Sequence, residues 1–287
     1  SSFFAQLLSN RSVISGRLAL LNSGNATYNP NATYQTGYGE RQQDVLLYSF
    51  LAAYTGQDVS TMSFNSFPQI PIPNWRIQFD GLKDIPFFKK IFKNIVLTHA
   101  YTSTMGIAGF QTNYKYTSDP NYDPTIFKND PFALSKLDDN GNFISRYFMT
   151  SVSLIEAYNP LIKVDLTFNN TLQTSIEIKS SRNISLNFPN SQITESNTFE
   201  VIVGAGYTVK NVKLPFKIGG KDVVSNLNLR FDFGLRDNST VIRKIDTEIE
   251  QVTAGQRAIN IKAFAEYQVN KSIMVRLFVD QIINNPF

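Results

Sequence analysis

A two-residue alternation of apolar and polar side chains runs through the second half of this chain, and no other feature limits its fold so severely. Ile162, Val164, Leu166 and Phe168 share one parity, and Lys163, Asp165 and Thr167 the other. Leu172, Thr174, Ile176 and Ile178 oppose Gln173, Ser175, Glu177 and Lys179, and the same parity resumes at Ile184, Leu186 and Phe188. Phe199, Val201, Val203, Ala205, Tyr207 and Val209 continue it. Leu227, Leu229, Phe231, Phe233 and Leu235 oppose Asn228, Arg230, Asp232 and Arg236. Ile259, Ile261, Ala263, Ala265, Tyr267 and Val269 oppose Asn260, Lys262, Glu266 and Gln268, and Ile273, Val275, Leu277 and Val279 oppose Arg276 and Asp280. A period of two sends alternate side chains to opposite sheet faces. Several of these runs are far longer than the roughly 5–6 residues of a typical globular strand.

The first 93 residues read differently. Val13–Leu21 is expected as a strand, Asn22–Tyr38 as a loop, and the apolar Asp44–Tyr54 as a short helix closed by Gly56. Pro68, Pro71 and Pro73 mark an extended linker. Trp75–Phe79 is expected as a short strand and Phe87–Lys93 as a helical turn. The division that follows is a loop and helix region over 1–93 with short strands and a wall of strands over 94–287. That wall begins with a long strand at Ile95–Gln111 and carries a polar loop insertion at about 115–142.

Composition decides what could cover so large an apolar face. Charged residues are 17% of the chain, below the roughly 25% of soluble domains, while aromatics reach 13%. No stretch approaches the roughly 20 apolar residues of a spanning helix, whereas a spanning strand needs only about 9–11. Little helix is expected in the second half, so lipid is the expected cover. The fold expected is an all-β membrane protein, an antiparallel transmembrane β-barrel segment with short helices and loop insertions. A soluble β-sandwich or solenoid is the alternative, the solenoid weakened by the lack of a fixed-period repeat. In a barrel the charges must face the lumen, because on the lipid face each costs about 2–4 kcal/mol at the midplane. The expected lumen-facing residues are Lys163, Asp165, Glu177, Lys179, Arg230, Asp232, Lys262, Glu266, Arg276 and Asp280. Their mixed signs suit a hydrated channel or a lumen that holds another protein. Arg182 breaks the pattern, sharing the parity of Ile178 and Ile184, and implies either a bulge near Ser180-Ser181 or a position beyond the bilayer.

Candidate chemistry is sparse. There is no cysteine, which excludes disulfides and thiolate metal sites, and no signal peptide is visible. The single histidine, His99, reads as a structural residue. Asp138-Asp139-Asn140-Gly141 reads as a turn in preference to a calcium loop, and Asp119, Asp123 and Asp130 would share a cation only if the insertion folded back. Gly204-Ala205-Gly206 sits within a strand, where small residues relieve crowding, and is no nucleotide fingerprint. Net charge of +4 without a dense basic run gives nucleic-acid binding little support. No catalytic, cofactor or metal residues are assigned, and the chain is read as a non-enzyme. Transport barrel and surface adhesion β-domain are the two functional classes, with a membrane enzyme barrel behind them.

Longer motifs carry a resemblance. Asp44–Gly56 (DVLLYSFLAAYTG), Pro71–Leu82 (PIPNWRIQFDGL), Leu97–Thr104, Asn159–Asp165 and Lys210–Phe216 occur in order. Leu235–Asn238, Ile242–Ile245, Gln251–Arg257 and Leu277–Asn284 follow. From Asp44 to Phe287 the chain resembles the C-terminal region of the SprA/Sov family, the giant outer-membrane translocons of Bacteroidota type IX secretion. The resemblance implies an arc of a very large single-chain barrel of about 36 strands. It also implies a protein-conducting channel that moves folded cargo bearing a type IX C-terminal signal, linked to gliding motility. The partners implied are the remainder of the same barrel chain, a PorV-like barrel, a plug protein, secreted cargo and outer-membrane lipid, with no nucleic acid. The location implied is the bacterial cell outer membrane, with the 1–93 region periplasmic or extracellular. A non-translocon porin or receptor barrel, or a surface adhesion β-domain, stands as the alternative.

Overall fold

The computed structural model describes residues 2–22, 24, 26–64, 73–117, 136–218, 221–247, 249–270 and 272–286. Its main feature is an open, antiparallel eight-stranded sheet. In chain order the strands are β1 (Trp75–Phe79), β2 (Phe92–Ala108), β3 (Gln111–Thr112), β4 (Tyr147–Phe148), β5 (Ser151–Phe168), β6 (Gln173–Asn187), β7 (Gln192–Ile218), β8 (Lys221–Lys244), β9 (Glu250–Gln268) and β10 (Met274–Pro286). β3 and β4 form a separate two-stranded ladder, and the large sheet runs β1-β2-β5-β6-β7-β8-β9-β10. The long strands fall where the alternation placed them.

The sheet does not close. Among the described residues β1 and β10 each have one neighbour, so the sheet ends in two edges. The expected transmembrane arc of a barrel is therefore corrected to an open sheet carrying helices on one face. Alternation specifies two faces, but closure belongs to the edges, which side-chain parity does not address. No described helix is long and apolar enough to cross a membrane.

Helices α1 (Ser2–Leu21) and α2 (Gln43–Thr55) cover one end of one face. α1 replaces the strand expected at Val13–Leu21. Leu7, Ile14 and Leu18 are fully buried at helical spacing, with the buried Arg11 between them in the same stripe. That arginine interrupts the apolar stripe in the sequence, while Ile14, Gly16, Leu18 and Leu20 set against Ser15 and Arg17 counterfeit a period of two. α2 forms as expected. Gln42 accepts a hydrogen bond from the Val45 N–H at 2.9 Å, and Gly56, left-handed at φ 69°, ends the helix with its N–H on Ala52 O. α2 is buried from Val45 to Ala53, which is why its sequence lacks a polar face. Phe3 stands edge-on to Phe50 at 5.6 Å and joins the two helices. Beneath them, Val152 and Leu154 of β5, Ile184 and Leu186 of β6, and Ile193 of β7 complete the core.

Smaller expectations resolve individually. A 3-10 turn (Gly81–Asp84) and helical turns α3 (Pro86–Lys89) and α4 (Tyr114–Thr117) join the strands. Asp138 caps a turn, accepting the N–H groups of Asn140 and Asn142 at 2.9 Å, with Gly141 at φ 74°. Most of the Pro68–Pro73 linker lies outside the described residues, as do Asp119, Asp123 and Asp130. The β5 ladder shifts register between Tyr158 and Ile162, around Pro160, which has no N–H to donate. His99 is held there, its Nδ1 2.6 Å from Leu161 O.

Candidate functional site

Because the strands pair in order with even registers, residues of one parity line up as rows across the sheet. One row runs Asp165, Ser175, Gly204, Asp232, Lys262, Asp280. Lys163 faces Glu177 in the next row, and Glu266 faces Arg276 in another. All ten residues expected to share a lumen do share one face. That face is the charged side of an open sheet, and "lumen" loses its meaning without a closed wall.

The charges on this face neutralise one another. Lys163 Nζ lies 3.1 Å from Asp165, and Lys179 lies 3.6 Å from Glu177 and 3.7 Å from Glu200. Arg230 Nε is 2.8 Å from Asp232, Lys262 is 3.3 Å from Asp280, and Arg276 is 3.9 Å from Glu266. The Arg230 guanidinium has its pKa raised by its hydrogen bond to Asp232, with Asp232 and Asp165 adding their charge against a smaller effect of burial. Gly204 makes room for the carboxylate. A Cβ there would stand 2.4 Å from Asp232 Oδ1 and 2.8 Å from Ser175 Oγ. Exposed pairs of this kind are worth about 0–1 kcal/mol each, so this face is a solvated surface more than a source of stability.

The opposite face has three zones. At one end it is covered by the helical pair. Next comes a polar belt containing Glu156, Arg182, Asn197, Asp237 and Ser239. Asp237 and Arg257 meet here at 2.7 Å, in an exposed pair that holds the Asp237 carboxyl below its usual range. Tyr101 donates to Glu156 at 3.1 Å. Tyr54 of α2, also bonded to Glu156, is pushed up to about 12, first by burial and then by that carboxylate, against a lowering bond with Ser103.

Between the belt and the helices lies an ion cluster centred on the buried Glu195 and Arg243. Glu195 accepts from Arg182 Nε at 2.7 Å and from Arg243 at 2.6 Å, and Arg243 also donates to Glu250 at 3.0 Å. Burial alone would raise the Glu195 carboxyl, but the hydrogen bond from Arg243 and the two guanidinium charges hold it below its usual range. Phe3 and Phe4 of α1 lie over the Arg182 and Arg243 guanidinium groups. β6 runs without a bulge at Ser180-Ser181, so the parity break at Arg182 is answered by Glu195 on the next strand. Sequence reasoning flagged Arg182 and missed Glu195 and Arg243. The available signal was three charges of both signs on the apolar parity of adjacent strands.

The third zone is an uncovered apolar field running from β5 to β10. Ile162, Ile176, Phe199, Val203, Tyr207, Leu229, Phe231 and Phe233 are all exposed, as are Val275, Leu277 and Val279 on β10. One row alternates small with large side chains, Ala205, Phe231, Ala263, Val279, and the next sets Ala265 between Leu229 and Leu277. The alanines leave a shallow apolar depression of about 510 Å³. Among the described residues no group of three His, Asp or Glu side chains is placed to hold a metal ion.

No family model matches this chain, and no curated protein matches it. The resemblance to the SprA/Sov translocons is thus not supported, and its consequences fall with it: protein-conducting channel, gliding-motility link, PorV-like barrel, plug, cargo and lipid partners. The porin, receptor-barrel and adhesion alternatives fall likewise, since they rested on the wall that the open sheet replaces. Placement in a bacterial outer membrane rested on the same two supports and is withdrawn.

Proposed function

We propose that this chain is a non-catalytic protein-binding module whose apolar sheet face receives an amphipathic helix of a partner protein. The exposed apolar field from β5 to β10 carries this reading. Folded proteins rarely leave contiguous apolar patches of more than a few hundred Å² bare, and larger patches mark interaction surfaces. The type of occupant is suggested by the molecule's own precedent. The same face, on Val152, Leu154, Ile184 and Leu186, already seats α1 and α2. The alanine depressions beside Phe231 and Leu229 offer the holes that helix side chains fill, and the flanking belt supplies a polar rim.

The test uses a fluorescent, designed Leu/Lys amphipathic helical peptide and a scrambled peptide of the same composition. Saturable binding of the first alone, weakened at least about tenfold by Phe231→Asp at unchanged melting temperature, is the expected result. Equal binding of both peptides, or indifference to Phe231→Asp, overturns the reading.

A further inference from the structure

β10 is an edge strand with every residue from Met274 to Pro286 exposed. Among the described residues its outer side lacks the strand neighbour that the ladder elsewhere provides, although β10 is long and includes Leu277, Phe278, Val279 and Ile282, each at least 60% exposed. Protective devices common on edges are weak here, since the strand has no lysine, and its proline stands at the far end, Pro286. By contrast β1, at the other edge, is only Trp75–Phe79.

The sequence of β10 is complementary to itself. Consider two copies of the strand side by side, antiparallel, with Phe278 opposite its own equivalent. Arg276 then faces Asp280 of the second copy, and Asp280 faces Arg276, so opposite charges meet twice. Leu277 faces Val279 on the apolar side, and Met274 faces Ile282 on the charged side. Parity is preserved, so both faces continue unbroken across the junction. Neighbouring even registers lose this match. With the axis at Asp280 two aspartates oppose each other, and with it at Arg276 two arginines do. Axes at Leu277 or Val279 set Phe278 against Arg276 or Asp280.

We propose that the chain forms a two-fold dimer through β10, in the register that places Phe278 on the axis, giving one continuous sixteen-stranded sheet (twice the eight strands of one copy). The occupant is a second copy because the edge carries the charge complement of itself. The proposal rests on the edge and not on the apolar field, though the dimer sets two such fields side by side.

Charge exchange tests it by sedimentation of the full chain. Arg276→Asp alone and Asp280→Arg alone each create two like-charge oppositions, and each variant is expected to weaken self-association at least about tenfold. Mixed together, the two variants restore both pairs, and a one-to-one heterodimer is expected. The double variant carries both changes in one chain and is expected to dimerise like the parent. The chain has no cysteine, so Phe278→Cys is expected to cross-link to its own copy under mild oxidation, and Phe231→Cys is not. A monomeric parent, association indifferent to the single charge changes, or failure of the mixture to associate overturns the proposal. Phe231→Asp separates the two readings. It is expected to leave the edge dimer intact, whereas association lost in Phe231→Asp and retained in Arg276→Asp assigns self-contact to the face and sinks the edge dimer.

Discussion

Glu195 shows how much one side chain can hold. It is nearly buried between two arginines, one of them, Arg243, equally buried. Removing one partner of a buried pair leaves the other charge uncompensated, which typically costs about 3–5 kcal/mol. Arg243 keeps its exposed partner Glu250, so Glu195→Gln is expected to cost about 3 kcal/mol in urea unfolding at neutral pH. The depressed Glu195 pKa fixes the sign with acid. Its stabilisation is complete above its ordinary value of 4.5 and is lost as pH falls below that. Asp44 has the opposite sign. Burial raises its carboxyl against hydrogen bonds from Gln42 and Ser145, so its contribution weakens as pH rises above 3.8. Comparing the parent with Glu195→Gln isolates the first effect, and the variant is expected to lose less stability between pH 5 and pH 3. At this scale the sequence was half legible. Parity placed the ten named charges on one face, because they obey the alternation. It flagged Arg182 only as an exception, because its partner lies on another strand and pairing depends on register.

Among the elements, α2 is the keystone of the covered zone. Phe50 is fully buried against Phe3, and the two helices contribute much of the apolar core. Phe50→Ala is expected to cost about 3–5 kcal/mol. Hydrogen exchange should quicken in α1 and α2 while β8 and β9 hold their protection. Uniform loosening of helices and strands would show that the helical pair and the sheet form one cooperative unit. α2 could be read from its apolar run and closing glycine. α1 could not, because an arginine lies in its buried stripe and Ile14 to Leu20 alternate as a strand would. The register shift around Pro160 was likewise hidden, since the two-residue offset leaves parity unchanged on either side.

The whole molecule was legible in its faces and not in its boundary. Alternation located the long strands and sorted their side chains, yet an open sheet and a closed wall require the same alternation. The open boundary has a measurable consequence. In dilute samples, below the concentration at which copies associate, amides of β10 are expected to exchange faster than those of β7 and β8, which have neighbours on both sides. Equal protection at high dilution would mean that the β10 edge is covered within one chain.

From β5 to β10 each strand lies beside the one before it in the chain, with no crossing connection. Such an arrangement has no topological lock. A hairpin could be duplicated or deleted there without rethreading the remainder, and each strand needs only its predecessor as a template. The number of strands is therefore an adjustable quantity in this architecture. Its breadth can change by whole hairpins while the helical pair, seated at β5 to β7, keeps its place.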